Sequence, residues 1–130
     1  PRAFALSEVL WSPGQGRDWV SFINRTENHF SRFDKLGLSI AKTVLEPIVE
    51  VHYENNRLIC SLSNSVPGTE IYYTINNTYP PYNGTKYTGS FELPEGNLSL
   101  RTQVYRHGLP LGRELILPRT VLEERAAKLP

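Results

Sequence analysis

The stretch VEVHYENNRLICSL, residues 49–62, decides the class of this fold. On both sides of its central Asn pair, apolar side chains alternate with polar ones, which is the period of a β-strand with one buried face. Because Glu54-Asn55-Asn56 is a turn sequence, the two halves predict an antiparallel hairpin. Cys60 falls on the apolar side of the second half, so we expect a buried strand position there rather than a catalytic thiol.

Further alternating segments lie on the C-terminal side of this hairpin. Turn clusters rich in Pro, Gly and Asn separate them at intervals of about eight to twelve residues, a spacing typical of an antiparallel β-sandwich. The predicted strands are at residues 71–75, around 91–93, at 98–104 and at 111–117. Beyond them, the helical spacing of apolar residues over 120–129 predicts a short terminal helix.

The residues before the hairpin have helical periods. Over residues 17–36, apolar side chains recur at spacings of three and four, which predicts a helix with one broad apolar face. Residues 1–11 also predict a helix, but apolar side chains surround its axis, whereas a surface helix confines them to one stripe. Such a helix needs protein on most of its sides. Because it starts at the first residue and the chain contains no methionine, we expect this chain to be a piece of a larger protein.

The helical and sandwich parts meet near residues 45–47. We therefore predict two domains, a helical segment at residues 1–45 and a β-sandwich domain at residues 46–130. The junction contains too few polar residues and glycines for a flexible linker, so we expect the two parts to pack rigidly together.

Composition and charge exclude several classes of partner. The chain has 14 basic and 13 acidic residues, and its net charge of +1 provides no basic stripe of the kind that nucleic acids or anionic membranes bind. No apolar run is long enough to span a bilayer. We therefore expect neither nucleic acid nor membrane as a partner. The single cysteine cannot form an internal disulfide, so the stability of the fold must come from its core.

Two stretches carry a resemblance to a known family. The first is PRAFALSEVLWS at residues 1–12, followed by Arg17-Asp18-Trp19, Phe22, His29, Phe33 and Gly37. The second is IYYTINNTYP at residues 71–80, followed by Tyr87-Thr88-Gly89, Leu100-Arg101, Gly108 and Gly112. The first resembles the segment that closes the catalytic (β/α)8 barrel of glycoside hydrolase family 20, the β-N-acetylhexosaminidases. The second is similar to the fibronectin-type-III-like sandwich appended to bacterial members of that family, with Asn76-Asn77 where the pattern usually has Asp-Gly.

This resemblance implies both a fold and a parent activity. The fold class would be α+β, with an N-terminal helical pair packed on an immunoglobulin- or fibronectin-type-III-like antiparallel β-sandwich. The parent would hydrolyse terminal N-acetylhexosamine residues from glycans by a retaining mechanism, in which the acetamido oxygen of the substrate attacks the anomeric carbon. It is expected in the periplasm or outside the cell. This chain would be a non-catalytic, accessory C-terminal fragment, and the missing catalytic barrel would be its partner.

The residues that this mechanism needs are absent from the chain. Members of the family use an adjacent Asp-Glu pair to orient the acetamido group and to protonate the leaving oxygen. The aspartates of this chain are Asp18 and Asp34, and neither precedes a Glu. We therefore expect no catalytic residue and an inactive fragment. Glu8 lies among apolar residues and could in principle be a hydrolase acid, but we favour a salt bridge, with Arg2 or with an upstream barrel residue.

No cofactor and no metal site is predicted. His29, His52 and His107 lie far apart and lack the spacing of metal ligands. The best candidates for ligand contact are instead Tyr79 and Tyr82, whose rings flank two prolines in a rigid loop and could stack on a glycan. The alternative interpretation of these rings is packing at the rim of the sandwich or against the barrel.

Two functions remain open from the sequence. The first is that of an accessory fragment of a glycosidase. The second is that of a free-standing carbohydrate-binding or adhesion module built on a β-sandwich. The opening helix favours the first, because an autonomous module should not expose so much apolar surface. Without the barrel, we expect the isolated chain to self-associate through its helices.

Overall fold

The computed structural model describes residues 2–128, except for the side chain of Tyr82. The chain divides into two units, Pro1–Val44 and Leu45–Pro130. The first unit is helical and the second carries two β-sheets, so the predicted α+β class is confirmed. Pro1 and Leu129, which belong to two of the predicted helices, lie outside the described residues. The expected rigid packing between the two parts stays a prediction.

Two α-helices form the first unit. Helix α1 spans Arg2–Trp11, α2 spans Trp19–Lys35, and a 3-10 turn at Gly14–Gly16 lies between them. Phe4 of α1 stacks on Phe33 of α2, with ring centroids 5.9 Å apart. The two predicted helices are therefore present, and they contact each other through aromatic rings.

Local signals in the sequence set both ends of α2. At its start, the Asp18 carboxylate accepts a hydrogen bond of 2.8 Å from the backbone N–H of Ser21. At its end, Gly37 adopts a positive φ of 68°, and the Leu38 N–H donates to the Phe33 carbonyl across 2.9 Å. Glycine adopts this left-handed cap without the strain that a Cβ would add. Gly37 is therefore the residue that ends α2.

The described part of the second unit contains seven strands in two sheets. The elements are β1 at Ile48–Glu54, β2 at Arg57–Ser63, β3 at Glu70–Thr74, α3 at Pro80–Asn83, β4 at Thr85–Lys86, β5 at Phe91–Leu93, β6 at Ser99–Arg106, β7 at Leu109–Pro118 and α4 at Arg119–Lys128. One sheet has the order β1-β2-β5 and the other has the order β4-β3-β6-β7. All neighbouring strands are antiparallel, so the predicted antiparallel β-sandwich is confirmed.

The β1–β2 hairpin has the alternation that the sequence predicts. Val51 pairs with Cys60, and the strands are joined by Asn55 and Asn56, whose φ angles are 49° and 63°. Two consecutive positive φ angles are those of a type I′ turn, whose twist matches the twist of the flanking strands. Asn tolerates positive φ better than most residues with a side chain, so the Asn pair fixes the register of the hairpin.

The inner faces of the two sheets bury one apolar core. Val51, Leu58 and Cys60 of the first sheet are fully or almost fully buried, and so are Leu100 and Val104 of the second. Burying an aliphatic side chain of this size stabilises the fold by about 1.5–3 kcal/mol. Burial also raises the pKa of the Cys60 thiol to about 12, which suits a structural cysteine and not a nucleophile. The expected buried strand position of Cys60 is confirmed.

The terminal helix α4 completes this core beside β1. Leu122 is fully buried, and Ala126 belongs to the same apolar cluster. The helix starts from a fixed point, because the backbone N–H of Arg119 donates to the Leu98 carbonyl across 2.9 Å and its guanidinium donates to the Pro94 carbonyl. The terminal helix predicted from the sequence is therefore confirmed, and its role is to cover apolar residues.

Two elements between β3 and β5 differ from the sequence prediction. The segment from Tyr79 to Gly84, predicted as a turn cluster, contains the single-turn helix α3 and leads into β4. Proline suits the first turn of a helix because an N–H at that position would have no partner within the helix, so Pro80 and Pro81 start α3 rather than break it.

Strand β7 also differs from the prediction, because it begins two residues before the predicted position, directly after a turn with positive φ.

Truncation of Leu122 tests the assignment of α4 to the core. Leu122→Ala should lower the free energy of unfolding by about 2–5 kcal/mol, because it removes a fully buried side chain and leaves a cavity. Urea denaturation followed by circular dichroism measures this difference. Leu109→Ala is the matched control, since Leu109 is 70% exposed and its truncation should change the free energy of unfolding by less than about 0.5 kcal/mol. Equal effects of the two substitutions would contradict the assignment.

Candidate functional site

The two candidate ligand contacts, Tyr79 and Tyr82, lie in the segment between β3 and β4. The Tyr79 side chain is 40% exposed. Tyr82 belongs to α3, and its side chain lies outside the described part of the structure. The expectation that the two rings form one platform therefore stays a prediction. The surroundings of Tyr79 define the candidate site.

Arg101 of β6 contacts the Tyr79 ring and the chain next to it. The guanidinium carbon lies 5.9 Å from the ring centroid, within the range of a cation–π contact. The Nη1 group donates to the Asn77 carbonyl across 2.9 Å. The Arg101 guanidinium thus covers part of the Tyr79 ring, and a ligand could stack only on the rest of the ring.

Glu114 of β7 holds Arg101 in this position. Nε donates to Oε1 across 2.6 Å and Nη2 donates to Oε2 across 3.0 Å, which makes a bidentate pair. The Arg101 and Glu114 side chains are 23% and 15% exposed, so water screens this pair less than it screens ordinary surface pairs. The hydrogen bonds to Glu114 raise the pKa of Arg101. The guanidinium is therefore a fixed cation on the outer face of the sheet.

The residues beneath the Tyr79 segment are buried although they face away from the core. Thr74 of β3 and Gln103 and Tyr105 of β6 alternate with core residues of the same strands, so they point to the other face of the four-stranded sheet. Each of the three is only 5% exposed. The segment that carries α3 is part of their cover, since Pro80 is fully buried and α3 contacts both β3 and β6.

Tyr105 has the most strongly perturbed hydroxyl of this face. It donates to the Gln103 Oε1 across 3.3 Å, and its ring meets Tyr72 edge to face with centroids 5.1 Å apart. Burial first, then the neighbouring Tyr79 and Glu114, raises the pKa of Tyr105 to about 12. At neutral pH this hydroxyl keeps its proton and acts as a hydrogen-bond donor, which is a structural and not a catalytic property.

Sequence reasoning proposed Tyr79 as a ligand contact but did not identify the Arg101–Glu114 pair beside it. In the β6–β7 register Arg101 lies opposite Ile116, which places Glu114 diagonally across the two strands. Both charged residues were visible as polar positions in alternating strands. Only the pairing of the two strands brings them together.

A second candidate surface lies on the helical unit and is apolar. No residue of α1 is buried. The exposed large apolar side chains of this unit are Leu6, Val9, Leu10, Trp11, Trp19, Val20, Leu36 and Leu38. A groove of about 210 Å³ opens beside α1 and α2, lined mainly by Ala5, Val9, Trp19 and Phe22. Such a concentration of exposed Leu, Val and Trp is typical of a surface that contacts other protein.

Glu8 forms an ion pair with Arg25 of α2, and the Glu8 Oε1 lies 2.6 Å from the Arg25 Nη2. The pair confirms the ion-pair role expected for Glu8, but the partner differs from the ones that the sequence suggested. Arg25 comes into reach because α1 and α2 lie side by side. Since both side chains are partly exposed, the pair contributes about 0–1 kcal/mol and orients the helices more than it stabilises them.

His29 has a packing role in the helical unit. The centroid of the His29 ring lies 5.5 Å from that of Phe4 and 6.4 Å from that of Phe33, between the two helices.

Among residues 2–128, no three His, Cys, Asp or Glu side chains are placed to hold a metal ion. Over the same residues, no helix combines the length and the hydrophobicity that a membrane span requires.

Comparison with known families bears on the sandwich unit. A family model described as "Fn3 associated" matches residues 60–112, from the centre of β2 into β7. The match supports an accessory domain associated with fibronectin-type-III domains, and it does not name glycoside hydrolase family 20. The matched range includes Tyr79 and Arg101 and ends just before Glu114. A search of curated proteins gave no match.

The pH dependence of stability tests the buried hydroxyl. The free energy of unfolding should fall as the pH rises from about 10 to about 12, because Tyr105 loses its proton near 10 in the unfolded chain and only near 12 in the folded one. Tyr105→Phe removes this ionisation and one hydrogen bond. The variant should lose about 1 kcal/mol at neutral pH and show a shallower decline above pH 10. Urea titrations at several pH values measure both effects, and parallel declines in the two proteins would contradict the assignment.

Proposed function

We propose that this chain is the non-catalytic C-terminal segment of a β-N-acetylhexosaminidase of glycoside hydrolase family 20. In this proposal the helical unit packs against the catalytic barrel of the parent, and the sandwich is an accessory domain. The parent removes terminal N-acetylhexosamine residues from glycans, and its catalytic Asp-Glu pair lies in the barrel. The observation that carries the proposal is the exposed apolar surface of α1.

Helix α1 exposes more apolar surface than a solvated helix should. The Leu10 side chain is 69% exposed and the Trp11 side chain is 86% exposed. Covering one such side chain would stabilise the protein by about 1.5–3 kcal/mol. Near the end of the helix, the Glu8 carbonyl accepts from the Ser12 N–H across 3.1 Å, and the Val9 carbonyl accepts from the Arg17 guanidinium across 2.6 Å. The exposed apolar side chains of the helix are therefore what a partner would cover.

Two further observations support the proposal. The exposed side chains of α1 lie within PRAFALSEVLWS, the stretch that resembles the closing segment of the family's barrel. The Fn3-associated match falls in the part of the chain where the resemblance predicts an appended sandwich. The match supports the accessory role, and the resemblance of residues 1–12 supports the identity of the parent.

A weak glycan contact at Tyr79 is part of this proposal. Chitooligosaccharides are the suitable probe, because their N-acetylglucosamine units belong to the substrate class of the parent. We expect a saturable shift of the Tyr79 ring signals in NMR spectra at millimolar ligand, with the sugar stacked on the exposed part of the ring. Tyr79→Leu should abolish the binding, whereas Tyr53→Leu, at an exposed tyrosine of β1, is the matched control and should not. Absence of a saturable shift would remove the glycan contact and leave the accessory role intact.

The decisive test compares the intact parent with this chain. In the parent, Leu10→Asp should lower the free energy of unfolding by about 2–5 kcal/mol, because it would place a carboxylate in an apolar contact. In the isolated chain the same substitution should change it by less than about 0.5 kcal/mol, and it should weaken the expected self-association. Leu109→Asp is the control, since Leu109 is equally exposed but lies at the start of β7 in the other unit, and it should be neutral in both proteins.

The reading frame upstream of residue 1 identifies the parent for this experiment. An Asp-Glu pair at the end of a predicted barrel strand supports the proposal. A frame without barrel strands, or equally small effects of Leu10→Asp and Leu109→Asp in the intact protein, would contradict the proposal and favour a free-standing module.

A further inference from the structure

We propose that residues 76–84 form a strap that lifts as a unit from the outer face of the four-stranded sheet, and that Arg101 is the latch that holds it closed. The strap runs from the end of β3 to the start of β4 and contains α3. Lifting it would uncover the Tyr105 ring and the Gln103 amide without opening the core between the two sheets. The strap is therefore a lid over a polar, aromatic face.

The strap is closed by hydrogen bonds within itself. At one end, the Thr78 hydroxyl donates to the Asn76 Oδ1 across 2.6 Å. At the other end, the Gly84 N–H donates to the Pro80 carbonyl across 2.8 Å, and a Cβ at Gly84 would collide with that carbonyl oxygen. The turn therefore depends on glycine. Because these contacts are internal, the segment keeps its shape when it moves.

Side-chain contacts from β3 and β6 hold the strap to the sheet. The Thr74 hydroxyl donates to the Thr78 carbonyl across 2.6 Å. The Arg101 guanidinium donates to the Asn77 carbonyl and contacts the Tyr79 ring. Beyond the strap, β4 is a two-residue strand at the edge of the sheet. Lifting the strap would break these contacts and leave the core between the two sheets intact, which is the condition for local opening.

Arg101 is suited to be the latch because its position is set from the sheet side. Glu114 binds the Nε and Nη2 groups, which leaves Nη1 directed at the Asn77 carbonyl. The planar guanidinium can make both contacts at once, and a lysine ammonium cannot reproduce this fork. In the closed state Pro80 is fully buried against the sheet, so apolar burial and the latch act in the same direction.

The test compares Arg101→Met with Arg57→Met in this chain. Arg57 forms a more exposed cross-strand pair with Glu92 in the other sheet, through one hydrogen bond of 3.2 Å, and its loss should leave the strap unchanged. In Arg101→Met, chymotrypsin should cut after Tyr82 at least about tenfold faster, since one charge-assisted hydrogen bond to the strap is lost. Tyrosinate absorbance should also show Tyr105 ionising below its native pKa of about 12. Arg57→Met should match the native chain in both measurements.

Urea denaturation of the same variants separates local opening from global unfolding. The proposal requires the cleavage rate of Arg101→Met to rise by more than the change in its global unfolding equilibrium. Arg101→Lys gives a second comparison if Arg101→Met is poorly folded, because it keeps the charge and loses the fork, and cleavage should again outpace global unfolding. Unchanged cleavage and unchanged Tyr105 ionisation, or cleavage that only follows global unfolding in both Arg101 variants, would overturn the proposal.

Discussion

The contact between the inner faces of the two sheets is the interaction on which the sandwich unit depends. Val51 and Cys60 on one side and Leu100 and Val104 on the other have no access to water, and Leu122 of α4 completes the same cluster. Each buried aliphatic side chain stabilises by about 1.5–3 kcal/mol, whereas an exposed ion pair contributes about 0–1 kcal/mol. The core therefore determines the fold, and the surface ion pairs add little to its stability.

The core also positions the charged side chains on the outer face of the four-stranded sheet. Once the inward residues of β3, β6 and β7 are set, the alternate residues of these strands must face outward, and Arg101 and Glu114 come within hydrogen-bond distance. A similar dependence holds at Gly112, which has a positive φ of 75° and where a Cβ would lie 2.9 Å from the Leu45 Cβ. The chain entering β1 thus packs closely on β7, and the Arg113–Glu46 ion pair lies beside that contact.

The helical unit has the opposite character. Its longer helix has well-defined ends, since Asp18 caps the start of α2 and Gly37 ends it. In contrast, no residue of α1 is buried, and several of its large apolar side chains are exposed. A helix with an exposed apolar surface is typical of an element that contacts other protein. This difference is the reason why we propose a docking role for the helices and an accessory role for the sandwich.

The sequence by itself determined the features that depend on neighbours a few residues apart. The alternation around Asn55-Asn56, the cap at Asp18, the stop at Gly37 and the buried position of Cys60 are all of this kind, because backbone dihedrals and side-chain periods are local properties. Only the tertiary structure decided the surroundings of Tyr79. Its contact Arg101 holds a carbonyl 24 residues away, at Asn77, and that meeting exists only because β3, β6 and β7 become neighbours in one sheet. From the sequence alone, an aromatic ring in a proline loop is compatible both with a ligand contact and with packing on a sheet, because the same residues suit both roles. The residues that surround the ring follow from the order of the strands.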